Sequence, residues 1–118
     1  MEFSTYSEKW KFHECKVQPS ELLRLVLQAC SRRLPPDALG HAKAFAEFTG
    51  GRAFASTTLT PADVTIRNEG QYEGGVCEMG VTLIFMGLPR PLLQDVLIRA
   101  ENEVFRQSGC VMIKRTEE

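Results

Sequence analysis

Residues 76–86 constrain this chain most. Cys77, Met79, Val81, Leu83 and Phe85 fall on every second position, with Glu78, Gly80 and Thr82 between them. A period of two marks a strand with one buried face, because successive side chains leave a pleated backbone on opposite sides. A face so uniformly apolar needs a cover, and two segments can supply one. Across residues 19–34, Leu23, Val26, Leu27, Cys30 and Leu34 recur at helical spacing, which is one stripe of a 3.6-residue helix. Residues 91–108 repeat the device with Leu93, Val96, Leu97, Ala100 and Val104, and Gly109 follows as a stop. Pro19 and Glu21 suit the start of the first helix, where a missing N–H costs nothing and a carboxylate meets the positive dipole end. Pro35 and Pro36 end it.

The remaining segments read mostly as strands. Residues 8–17 alternate, with Trp10 and Phe12 on one side and His13, Cys15 and Val17 on the other. Residues 37–48 fit two patterns. As a helix they have an apolar arc through Leu39, Ala42, Phe45 and Ala46; as a strand, Ala42, Ala44, Ala46 and Phe48 oppose His41, Lys43, Phe45 and Glu47. The following Thr49, Gly50 and Gly51, with an extended stretch at 52–60 containing Phe54, Thr57, Thr58 and Leu59, tip the balance to a strand in a hairpin. Pro61, Ala62 and Asp63 break that stretch, residues 64–66 resume it briefly, and the glycine-rich 68–75 reads as a loop. A short closing strand at 110–114 puts Val111 and Ile113 on one side.

This order is β-α-β-β-α-β, the plan of a ferredoxin-like sandwich. The expected fold is α+β: a four- to five-stranded antiparallel sheet with two helices on one face, residues 1–118 forming a single domain. If Cys77 through Phe85 face the helices, Trp10, Phe12, Ile84 and Met86 are left on the uncovered side. That is an apolar patch of the kind that marks a contact surface, so a homo-oligomer packed through the open sheet face is expected.

Composition narrows the function classes. Fourteen basic against fifteen acidic residues give a net charge of -1, which lacks the bulk positive charge of a general nucleic-acid binder. An RNA-recognition sheet also needs aromatic residues on a central strand, where this chain has Glu78 and Met79; nucleic acid is disfavoured as a partner. The opening residues lack the basic and apolar character of a secretory signal, and no apolar run approaches the roughly 20 residues of a membrane span. The expected compartment is the cytoplasm, with no membrane partner. The cysteines stand singly, without a C-x-x-C pair, and read mainly as reduced, buried thiols.

Two constellations could carry chemistry. Antiparallel pairing of the first strand with residues 76–86 brings Cys15 near Cys77, with His13 on the same side, and imidazole with thiolates suits a soft metal ion; the competing reading is core lining. His41, Lys43 and Glu47 share one face if their segment is a strand. An imidazole beside an ammonium then suits a small anionic ligand or proton transfer, whereas on a helix His41 and Lys43 diverge. The Gly70, Gly74 and Gly75 stretch lacks the Lys-Ser/Thr ending of a phosphate-binding loop and lies between Glu69 and Glu78. No nucleophile motif or carboxylate pair stands out, so no catalytic residue is assigned and the cofactor is unknown.

Leu39 through Ala44, then Gly50, Gly51 and Ala55 through Thr58, resemble the small α+β domains that accompany CobW-type GTP-dependent metallochaperones. The resemblance spans about twenty residues and implies an accessory or regulatory role beside metal or cofactor handling. This chain has neither that family's phosphate-binding loop nor its paired-cysteine motif, so the GTPase activity itself does not carry over. The expected function is a non-catalytic, oligomeric binding or regulatory domain. The alternative is a small enzyme or metal-handling accessory protein using His41 and Lys43, or His13 with Cys15 and Cys77.

Overall fold

A computed structural model describes residues 2–58, 63–110 and 112–117. In chain order the elements are β1 (Phe3–Phe12), α1 (Pro19–Arg33), β2 (Leu39–Phe48), β3 (Gly51–Thr57), β4 (Thr65–Gly70), β5 (Cys77–Met86), α2 (Arg90–Ser108) and β6 (Met112–Glu117). The strands form one sheet in the order β4-β3-β2-β5-β1-β6, and every neighbouring pair is antiparallel. β1 and β2 flank β5, and β5 and β6 flank β1, so each helix links two strands separated by a third. Those four strands and two helices are the ferredoxin-like plan. β3 and β4 extend it beyond β2 as a meander, which takes the sheet to six strands.

Both helices lie on one face. α1 covers β2 and β3, α2 covers β1, and the two pack on each other. The helical stripes read from spacing are buried except for Leu34, which caps α1 and is half-buried, and Pro19, Leu22, Ala29, Glu101 and Phe105 join them. Gly109 closes α2 at φ 70, the left-handed geometry that glycine adopts without steric cost. From β5 the helices receive Cys77, Met79, Val81, Leu83 and Phe85, all buried.

The expected facing of β1 is reversed. Trp10 and Phe12 are 1% and 0% exposed, and both rings meet Phe105 of α2 edge-on, with centroids 5.4 and 5.0 Å apart. Register explains this: Trp10 sits opposite Met79 and Phe12 opposite Cys77, and directly opposed residues share a face. The uncovered side of β1 is Phe3, Thr5, Ser7, Lys9 and Lys11. β1 also begins earlier than expected and stops at Phe12. Residues 13–17 leave the sheet because the Cys15 amide donates to the Tyr72 hydroxyl (2.8 Å) instead of to a ladder.

A second correction concerns residues 68–70, which belong to β4 and pair with β3. The expected roles of Leu59, Pro61, Ala62 and Val111 lie outside the described residues, and of Ile113 the backbone alone is described. Two acids are buried in the helix-covered layer, Glu8 at 1% and Glu101 at 0% exposure. The Tyr6 hydroxyl donates to Glu8 Oε2, and the Arg90 guanidinium lies 5.0 Å over the Tyr6 ring. Among the described residues, no helix is long and apolar enough to cross a membrane.

Candidate functional site on the open sheet face

Antiparallel register sorts the uncovered face into rows of side chains. One row runs Lys9, Gly80, Phe45, Phe54, Arg67; the next, toward the β1 start, runs Ser7, Thr82, Lys43, Ser56, Thr65. On the other side lies Lys11, Glu78, Glu47, Arg52, Glu69. Farther along, Thr5, Ile84 and His41 form a row, and Phe3, Met86 and Leu39 close that end. The face therefore grades from an apolar end to a row of mixed charge.

Gly80 shapes the middle. The Phe45 ring lies over it so closely that a Cβ at Gly80 would sit 2.3 Å from Phe45 Cε1. Without a side chain at the floor, a groove of about 310 Å³ opens along Lys9, Lys11, Phe45, Glu47, Glu78 and Thr116. Two further grooves of about 340 Å³ each lie alongside, one by Lys43, Phe45, Phe54 and Thr82 and one by Lys43, Phe54, Ser56, Thr65 and Arg67. These volumes sit at the small end of ligand-sized clefts.

In the charged row, Glu69 is matched by two cations. Arg52 donates to Glu69 at 2.7 Å, and Arg67 approaches the same carboxylate at 3.4 Å. The hydrogen bond from Arg52 holds the Glu69 carboxyl below its ordinary pKa. Arg52 also lies 5.8 Å over the Phe54 ring, a cation–π distance. Ser7 and Thr82 share a hydroxyl hydrogen bond of 2.8 Å.

His41, Lys43 and Glu47 all lie on this face of β2, as the strand reading required, with His41 half-buried and the other two exposed. Phe45 lies between Lys43 and Glu47 and was missed as a site residue. Its alternation placed it on this side; its packing over Gly80 depends on a strand more than thirty residues away.

The second constellation divides. Cys15 and Cys77 act on each other: Cys77, aided by burial, raises the pKa of the Cys15 thiol, and Cys15 lowers that of Cys77. His13 is exposed in the loop after β1. Among the described residues, no group of three or more His, Cys, Asp or Glu side chains is arranged to hold a metal ion. The Tyr72 hydroxyl, which accepts from the Cys15 amide, donates to the Gly75 carbonyl at 2.6 Å and ties this end together.

Fold and face together define a ferredoxin-like α+β sandwich with an extended sheet and a grooved, mixed-charge open side. The chain matches no protein-family model and no curated protein. Among solved structures it is similar to the Zn(II)-bound YjiA GTPase from E. coli, at 15% identity and a TM-score of 0.43. It is also similar to a Zn(II)-bound triple mutant of YjiA GTPase, at 13% identity and a TM-score of 0.45. In both comparisons the match covers 83% of this chain and 29% of the other, so the chain spans less than a third of the length of these proteins.

Proposed function

We propose that this chain is a non-catalytic binding or regulatory domain whose open sheet face takes a small anionic ligand across Lys43 and Phe45. The observation that supports this most is the meeting of the grooves at that pair. Lys9, Lys43 and Arg67 frame two phenyl rings, while Glu47, Glu78 and Glu69 are confined to the neighbouring row. A ligand with a planar apolar part and an anionic group fits that pattern: rings supply contact area, and ammonium and guanidinium groups supply charge-assisted hydrogen bonds. An accessory or regulatory role beside metal or cofactor handling, implied by the CobW-type resemblance, is compatible with such a domain.

Titration with AMP, adenosine and inorganic pyrophosphate, followed by amide NMR, tests the reading. AMP is expected to shift amides of β2, β3 and β5 around Lys43, Phe45 and Thr82, and Lys43→Glu to weaken it by about tenfold, equivalent to about 1.4 kcal/mol. Perturbations confined to the helical side, or an affinity indifferent to Lys43→Glu, would remove the proposal.

Self-association through the same face has narrower support than the sequence implied, because Trp10 and Phe12 are in the core. The apolar residues at its far end are Phe3 and Leu39, each 56% exposed, with half-buried Ile84 and Met86. Light scattering over a concentration series is expected to show a mass rising toward a dimer, and Leu39→Glu to hold it at the monomer. A monomeric mass for the unmodified protein throughout would exclude the dimer.

A further inference from the structure

Three cysteines from distant parts of the chain meet at one end of the molecule. Cys77 begins β5, where Phe12 on one side and Phe48 on the other are its register partners. Cys15 follows three residues after Phe12, its amide fixed by Tyr72, whose hydroxyl is in turn bonded to Gly75, two residues before Cys77. Cys110 follows Gly109, and a Cβ added at Gly109 would sit 3.3 Å from Lys16 Cδ, so the end of α2 rests on the residue next to Cys15. The Cys15 thiol consequently has Cys77 and Cys110 as neighbours, and both act on it electrostatically. Exposure is graded: Cys77 is 0% and Cys15 5% accessible, while Cys110 is half-exposed.

We propose that Cys15, Cys77 and Cys110 form a reversible thiol oxidation site, in which Cys110 is oxidised by a hydroperoxide and Cys15 closes a disulfide on it. In the first step the Cys110 thiolate attacks the peroxide, the O–O bond breaks, and sulfenic acid and hydroxide form. In the second, the Cys15 sulfur attacks the sulfenic sulfur, the S–O bond breaks, and the Cys15 proton leaves with the hydroxide as water as the Cys15–Cys110 bond forms. Cys77, which acts on the Cys15 thiol from its register position beside Phe12, holds that sulfur in place and is a positioning residue rather than a bonded partner. Cys30 provides the contrast. It is fully buried on α1, and the groups that act on its thiol are Arg33, Glu8 and Arg32, with no second cysteine among them.

The test treats folded protein with stoichiometric hydrogen peroxide, blocks remaining thiols with N-ethylmaleimide, and maps the peptides by mass spectrometry. A Cys15–Cys110 linked peptide is expected, reversed by dithiothreitol, absent in Cys110→Ser, and forming about tenfold faster than in urea-unfolded protein because the sulfurs are already placed together. Cys77→Ser, confirmed folded by circular dichroism, is expected to slow closure and let dimedone trap the Cys110 sulfenic acid. If Cys77→Ser does not fold, the linked peptide and its absence in Cys110→Ser decide the question. Accumulation of sulfinic acid at Cys110 with Cys15 still alkylated, a bond to Cys30, or equal rates in folded and unfolded protein would each overturn it.

Discussion

Replacing Trp10 with alanine is expected to cost about 3–5 kcal/mol of folding free energy, enough to unfold much of a domain whose total stability is on the order of 5–15 kcal/mol. The indole is 1% exposed and edge-on to Phe105, which Phe12 also meets. Truncation therefore opens a cavity shared by β1 and α2, and neither element can close it without breaking the other ring contact. Trp10→Phe makes the comparison sharper. The indole Nε1 has no hydrogen-bond partner among the described residues, and a buried unsatisfied donor carries its own cost of about 1–3 kcal/mol. Phenylalanine removes that donor while keeping most of the ring, so its loss is expected to stay near 1 kcal/mol. Lys11, one residue along on the uncovered side, is the control: Lys11→Thr is expected to stay within about 0.5 kcal/mol. Urea titrations of the three variants decide it. A Trp10→Ala loss no larger than that of Lys11→Thr would mean β1 faces the other way.

β1 was misread because a buried acid imitates a solvent face. Tyr6, Glu8, Trp10 and Phe12 share the covered side, and Glu8 breaks the apolar alternation that identified β5 without ambiguity. What makes Glu8 tolerable there, including the Tyr6 hydroxyl, is a property of the packed layer and leaves no mark in the spacing. The end of β1 was lost for a related reason, since Cys15 bonds to Tyr72, 57 positions away. The helices and β5 were legible because their apolar stripes face a single layer. β2 was legible through its turn: the two glycines after Thr49 made a hairpin the better reading, and with it the shared face of His41, Lys43 and Glu47. Phe45 escaped as a site residue because its seat is Gly80, and only register brings the two together. Likewise, Cys110 carried no signal toward Cys15, because the turn at Gly109 that returns it lies at the end of a nineteen-residue helix.

Residues 68–70 belong to the glycine-rich stretch 68–75 that reads as a loop, and the reason they are a strand leads to a second large effect. Gly51 and Gly70 are register partners between β3 and β4, and the chains nearly touch there. A Cβ at Gly70 would lie 2.0 Å from the Gly50 carbonyl oxygen, and one at Gly51 2.1 Å from that of Glu69. Both obstacles are backbone, so no rotamer change relieves them. Gly70 also holds φ +77, which costs an L-residue about 1–2 kcal/mol by itself. Gly75 separates the two contributions, because it has φ +91 but nothing within 4 Å of its added Cβ. Gly75→Ala is therefore expected to cost the conformational part alone, and Gly70→Ala about 2–4 kcal/mol, in the range of strained-backbone and overpacking substitutions. The upper bound comes from β4 itself: once the clash exceeds what holds this edge strand, the strand detaches and the loss stops growing. Detachment would take Arg67 and Glu69 off the open face and leave Arg52 without the carboxylate it now bonds at 2.7 Å. Hydrogen exchange reads that event directly, as fast exchange in β4 beside protected amides in β5, and anion binding at Lys43 should weaken with it. Equal stability losses for Gly70→Ala and Gly75→Ala would show that the two strands do not meet at contact distance.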